Sequence, residues 1–181
     1  MKKRFVILDR DGTIILDKDH LTEVSEVELI PNAGKAIKKL NDLGLGTIIV
    51  TNQTVVGNGH IIIRELEAIH RKMLDLLSKE GAKIDGIYFC PHRIEDNCSC
   101  RKPKLGLIEQ SLKDYNFDPK EAFVIGDKVL DVEMGEKMGA RTFLVRTGYG
   151  AEVEKEKRIK PTYIVNDLLE AVETIRQQLQ S

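Results

Sequence analysis

Short, near-continuous apolar runs alternate along the chain with longer amphipathic stretches. Phe5-Val6-Ile7-Leu8, Gly46-Thr47-Ile48-Ile49-Val50 and Ala122-Phe123-Val124-Ile125 are strand-sized and carry too few polar positions for a half-exposed sheet. The pattern predicts strands over 4–9, 46–51, 86–90, 122–126 and 141–146, with helices over 32–43, 62–80, 105–114, 130–138 and 166–178. Gly44, Gly81 and Gly139 fall where helix C-caps belong, and Pro31 precedes a helix start. Tyr163-Ile164-Val165 is expected to add a short edge strand, and charge-rich Glu152 to Lys160 to form a surface connection. Such alternation implies an α/β fold: a doubly wound, mainly parallel sheet with helices on both faces. A single domain over residues 1–181 is expected, without internal repeats. The stretch from Gly12 to Pro31 is too short for a separate cap domain, so any site beyond the strand ends should be open and shaped by loops.

Composition narrows the function classes. With 28 Lys and Arg against 29 Asp and Glu, scattered along the chain, there is no basic footprint for nucleic acid. Met1-Lys2-Lys3-Arg4 precedes an apolar run too short for a signal peptide, and no run has membrane-spanning length. A cytoplasmic monomer acting on a small molecule is expected.

The chemistry concentrates at predicted strand ends, where open α/β sheets bind ligands. Asp9-Arg10-Asp11-Gly12-Thr13 puts two carboxylates two residues apart as the first strand runs out. The two-residue period starts both toward one side, and Gly12 lets the backbone bend beneath them. Carboxylates held that close need a cation between them or a proton on one; an Asp-rich turn that only caps the strand is the plainer alternative. The second strand ends in Thr51-Asn52-Gln53, whose hydroxyl and amides can donate to phosphate oxygens or simply start a turn. Arg101-Lys102 precedes a predicted helix, either as a phosphoryl clamp or as a solvated pair. The fourth strand runs into Gly126-Asp127-Lys128, with Asp131 beyond, an arrangement equally suited to a metal site or a helix N-terminus.

These four pieces, in this order, resemble the motifs of the haloacid dehalogenase superfamily. The resemblance implies a Rossmann-like sheet and an Mg²⁺-dependent phosphatase in which Asp9 attacks phosphorus and Asp11 serves as acid and base. It further implies that Asp9, Asp127 and the Asp11 carbonyl ligate Mg²⁺, and that Thr51, Asn52, Gln53, Arg101 and Lys102 hold the phosphoryl group. Asp131 and Lys128 would support them from behind, and Asp17 and His20 on the first loop would reach the leaving group.

All three cysteines of the chain lie in Cys90-Pro91-His92 and Cys98-Ser99-Cys100. Three thiols and an imidazole make a closed tetrahedral zinc set, which would be structural and would fix Arg101 and Lys102 within an inserted loop, 90–103. A strained Cys98–Cys100 disulfide and plain buried thiols are the alternatives. With this loop, the chain resembles the subgroup holding the D-glycero-D-manno-heptose 1,7-bisphosphate phosphatases and the phosphatase domains of histidinol-phosphate phosphatases. That implies release of the C7 phosphate of a heptose bisphosphate, or hydrolysis of histidinol phosphate; a phosphate-ester binding protein without turnover is the reading from another class. Where the heptose enzymes typically continue Thr-Asn-Gln with Ser-Gly-(Ile/Val)-x-Arg-Gly, this chain has Thr54-Val55-Val56-Gly57-Asn58-Gly59. A flexible turn is stiffened at Val55, and a guanidinium is lost at Asn58.

Overall fold

The computed structural model describes residues 2–180. Its six strands form one wholly parallel sheet: β1 (Phe5–Leu8), β2 (Gly46–Asn52), β3 (Gly86–Cys90), β4 (Phe123–Gly126), β5 (Arg141–Val145) and β6 (Tyr163–Val165), in the order β3-β2-β1-β4-β5-β6. Seven helices cover it: α1 (Ala33–Asp42), α2 (Thr54–Gly57), α3 (Ile63–Lys79), α4 (Gly106–Tyr115), α5 (Val129–Met138), α6 (Gly150–Glu156) and α7 (Leu168–Leu179). The chain winds outward from β1 in one direction and from β4 in the other. The order therefore reverses between these two central strands, and a crevice opens at their carboxyl ends.

The strand sequences account for the layering. In β1, Val6 and Leu8 join the larger apolar cluster with Ile37 and Leu40 of α1, Leu66 and Met73 of α3, and Val172 and Ile175 of α7. Phe5 and Ile7 point to the opposite face, where they meet Leu107 and Ile108 of α4 and Met134 and Met138 of α5. The same two-residue alternation divides Phe123 and Ile125 from Val124 in β4. At roughly 1.5–3 kcal/mol for each fully buried aliphatic or aromatic side chain, burial on both faces anchors the sheet centre. The glycines expected to end α1, α3 and α5 do so: Gly44, Gly81 and Gly139 have φ of 75°, 75° and 71°.

One local expectation is corrected, and one element is added. The segment 152–160, expected as a surface connection, begins inside α6. Its helix is held by Val153, buried against Val132 and Leu144, and by the Arg146–Glu154 ion pair at 2.7 Å. Charge density at its exposed positions obscured one apolar anchor. Residues 54–57, outside every predicted helix, form a helical turn, because Val55 packs into the larger core while Asn58 closes the turn. Among the described residues, no helix is long and apolar enough to cross a membrane.

Candidate active site

The crevice between β1 and β4 opens into a cleft of about 260 Å³ lined by Asp9 and Asp11, by Thr51 to Gln53, by Lys128 and Asp131, and by the Arg101-Lys102 pair, with Asp127 buried behind it. Leaving β1, the chain turns at Gly12, whose φ is 83° and where an added Cβ would lie 2.2 Å from Asp127 Oδ2. Only glycine permits that approach of the Asp9–Thr13 turn to the end of β4.

Asp9, Asp127 and Asp131 each offer a carboxylate oxygen within 4.8 Å of the others, and all three are buried. Lys102 enters this cluster from the 98–105 loop. Its Nζ donates to Asp9 Oδ1 at 2.8 Å, Asp131 Oδ1 at 2.6 Å and the Val50 carbonyl at 2.8 Å. Burial opposes the ammonium charge, but Asp131 and Asp9 outweigh it and raise the lysine above its ordinary pKa. A single cation does not balance three acids. Burial and then the Asp9 charge push Asp127 up to about 8 and Asp131 up to about 6. Asp127 Oδ2 accepts the Tyr149 N–H at 2.9 Å, whereas its buried Oδ1 has no hydrogen-bond partner. A hard divalent cation with oxygen ligands fits this unpartnered atom and the surplus negative charge. Asp131 is also fixed by the fold: Oδ2 accepts the Lys128 N–H at the start of α5, at 3.1 Å.

Asp11 does not share partners with Asp9. β1 ends at Leu8, so the strand period no longer governs the two side chains. Arg10 grips Asp11 as a fork, Nε to Oδ2 at 3.0 Å and Nη2 to Oδ1 at 2.9 Å. Gln53 Nε2 donates to Asp11 Oδ2 at 2.8 Å and to Thr51 Oγ1 at 2.9 Å, while its Oε1 accepts from Arg10 Nη2 at 2.9 Å. Burial would raise the Asp11 carboxyl, but the Arg10 guanidinium and the Gln53 amide together hold it below its ordinary value.

Other predicted residues turn inward. The Asn52 amide brackets the Lys102 backbone, accepting its N–H at 3.0 Å and donating to its carbonyl at 3.3 Å. Gln53 is committed to Asp11, Arg10 and Thr51. Arg101 Nη1 donates to Thr54 Oγ1 at 2.9 Å and to the His92 carbonyl at 3.4 Å, neither of them an acid. Lys128 Nζ bonds Asp17 Oδ2 at 2.7 Å and lies 5.3 Å over the Tyr149 ring. His20, exposed on the rim, meets the ring of His60 edge-on at 5.6 Å. Sequence reasoning assigned no role to Arg10 or Tyr149, whereas Asp19 belongs to the loop expected to reach the leaving group. The Tyr149 hydroxyl donates to Asp19 Oδ1, closing one side of the rim.

The thiol cluster lies at the end of β3. Cys90 Sγ is 3.6 Å from His92 Nδ1 and 3.5 Å from Cys98 Sγ; Cys100 Sγ is 3.2 Å from His92 Nδ1 and 3.5 Å from Cys98 Sγ. All three cysteines are free. Sulfurs bound tetrahedrally at the usual zinc–sulfur distance would be about 3.7 Å apart, so the donor set fits that ion without rearrangement.

The sheet order and this carboxylate–lysine site define a hydrolase of the haloacid dehalogenase class, and a family model described as HAD-hydrolase-like matches residues 99–171. A D-glycero-beta-D-manno-heptose-1,7-bisphosphate 7-phosphatase of Haemophilus ducreyi is 36% identical over 180 residues, covering 95% of this chain and 98% of its own. A relative in Photorhabdus laumondii, named for the alpha anomer, is 33% identical over 166 residues, 87% of this chain and 91% of its own. The D,D-heptose 1,7-bisphosphate phosphatase of B. bronchiseptica, solved with magnesium and phosphate, superposes with a TM-score of 0.92 at 30% identity, covering 97% and 99% of the two chains. The chain belongs to this family of heptose-bisphosphate phosphatases, which are phosphoric monoester hydrolases.

Proposed function

We propose that the protein removes the C7 phosphate from D-glycero-D-manno-heptose 1,7-bisphosphate through an aspartyl-phosphate on Asp9. The observation that carries this reading is the clustering of Asp9, Asp127 and Asp131 at the sheet's switch point, with Lys102 bound to Asp9 and Asp131. Lys102 occupies Asp9 Oδ1, so attack on phosphorus falls to Oδ2. The P–O bond to the sugar breaks as the Asp9–phosphorus bond forms; Asp11, ionised in the resting site by Arg10 and Gln53, takes up a proton from solvent as substrate enters and gives it to the departing oxygen. Asp11 then takes a proton from the water that displaces Asp9 from phosphorus, restoring both carboxyl groups. Thr51 and Arg101 hold the transferring phosphoryl oxygens. Lys102 orients the nucleophile, Asn52 fixes the backbone of Lys102, and Asp131 fixes its ammonium. Asp9, Asp127 and the Asp11 carbonyl would hold Mg²⁺, which when bound neutralises phosphoryl charge in the transition state. The rim residues Asp17, Asp19, His20 and Tyr149 supply donors and acceptors for sugar hydroxyls.

Cys90, His92, Cys98 and Cys100 would hold a structural Zn²⁺. Thiols kept for a metal rather than paired as disulfides suit the reducing cytoplasm. Cys98→Ser is expected to lower zinc content and to reduce Tm by about 5–10 °C, equivalent to about 2–3 kcal/mol in a chain of this length. It should lower activity by about 10-fold through the displaced Lys102 loop. A variant that binds no zinc yet melts and turns over like the wild type would remove the ion's structural role.

The substrate is tested by phosphate release from both anomers of the heptose bisphosphate, histidinol phosphate and simple sugar phosphates. A large kcat/KM preference for one heptose anomer is expected. Histidinol phosphate is the competing substrate, favoured by Asn58, which leaves its position without a guanidinium. Preference for it would overturn the substrate while keeping the chemistry. Tight binding of these esters without release of phosphate from any of them would instead indicate a binding protein.

A further inference from the structure

We infer that Arg10 is a positioning residue for Asp11, acting with Gln53 as a buried clamp that sets where the acid/base carboxyl sits. The inference rests on Asp11 being the acid and base proposed above. Arg10 stands beside the nucleophile, where a cation would ordinarily be expected to meet the substrate's phosphate. Its geometry argues otherwise. Arg10 is 1% exposed, and its Nε and Nη2 are committed to the two oxygens of Asp11. Nη2 also donates to Gln53 Oε1, and Gln53 returns a bond to the same carboxylate from the end of β2. Both oxygens of Asp11 and the Gln53 amide thus form one closed network, anchored through Thr51 Oγ1 to β2.

The remaining atom, Nη1, is buried without a partner and points to no acid. His70 of α3, whose Nε2 is likewise unpartnered, is held down to about 3 by burial and by Arg10, so the imidazole adds no second charge here. A planar fork is the group that can fix both the position and the plane of a carboxylate; a lysine could neutralise the charge but could not set the plane. Burying a guanidinium is costly unless its bonds are specific, which favours an orienting role over a general electrostatic one.

A clamp that sets the place from which Asp11 donates, once the carboxyl has taken up a proton and released one of the clamp's bonds, has a kinetic signature that a merely structural residue lacks. In kcat/KM, which reports steps through the first phosphoryl transfer, an alkyl phosphate needs a proton on its leaving oxygen, whereas p-nitrophenyl phosphate does not. The experiment compares kcat/KM on the heptose bisphosphate and on p-nitrophenyl phosphate for the wild type, Arg10→Met, Arg10→Lys and Gln53→Leu, with Asp11→Asn as reference. Arg10→Met is expected to lose about 100-fold on the sugar ester and less than about 10-fold on the aryl ester. Arg10→Lys should fall between Arg10→Met and wild type. Gln53→Leu should show the same imbalance to a smaller degree, and it carries the test if the Arg10→Met chain does not fold. Equal losses on both esters, or none, overturn the clamp. If Asp11→Asn itself shows no leaving-group imbalance, the acid/base reading of Asp11 fails and the inference falls with it. A clamp that fails while Asp11→Asn keeps its imbalance leaves that reading intact.

Discussion

Asp9→Asn is expected to lower phosphate release by about 10⁴-fold or more, without loss of folded protein. The amide is nearly isosteric and keeps an oxygen for Lys102 Nζ, which now lies 2.8 Å from Asp9 Oδ1. What disappears is the nucleophile, because an amide oxygen does not form a stable bond to phosphorus. The substitution also removes one negative charge from three crowded carboxylates, relieving the repulsion that helps raise Asp127 and Asp131. Tm should therefore hold or rise slightly. Phosphate release and thermal melting, measured side by side, test both halves. Activity near the wild-type level would end the covalent route, and a large drop in Tm would mean that the charge of Asp9 is needed for folding.

Lys102→Met carries the second large effect, and here stability and activity fall together. The variant keeps most of the aliphatic volume but strands Asp9 and Asp131 in the interior without their shared cation. Breaking a buried pair in this way typically costs about 3–5 kcal/mol. Loss of the group that orients the nucleophile should reduce kcat/KM by about 10²–10³-fold. In chelator, the loss of stability should deepen as pH rises. Carboxyls whose folded pKa is raised, here to about 8 for Asp127 and about 6 for Asp131, bind protons that the unfolded chain has already released. Folding is thus favoured at low pH and weakens as pH climbs through that range. Denaturant unfolding at pH 5 and pH 8 reads this directly. A variant equally stable at both, with wild-type kcat/KM, would show that Lys102 is not the counter-charge of the cluster.

Strand content and the placement of the chemistry were legible because both obey short-range rules. Phe5–Leu8 alternates between two helical layers, so its apolar run had to be central, and the acids that follow it had to lie at the crevice. Gly12 signalled the turn, and the Cys-His spacing signalled that the three thiols and His92 would cluster. Other features were hidden for physical reasons. Asn52 and Gln53 looked free to meet a ligand, but a strand end offers amides as readily to a neighbouring loop, and here Lys102 and Asp11 claim them. Arg10 sits between two acids, where a surface cation would also sit, and only the folded structure shows it buried with its bonds turned to Asp11 and Gln53. The helix at Gly150–Glu156 depends on one buried valine, too weak a periodic signal among so many charges.

The parts of the cleft differ in what they are attached to. Thr51 lies on β2, and Asp9 and Asp127 directly follow the adjacent strands β1 and β4, whereas His20 meets His60, and Tyr149 meets Asp19, across loops. Variation at the rim can proceed without disturbing the hydrogen bonds that align nucleophile, lysine and acid. The hydrolytic apparatus can therefore stay constant over evolutionary time while the choice of which phosphate ester enters drifts, and a replacement at an exposed position such as Asn58 is the kind of change such an arrangement tolerates.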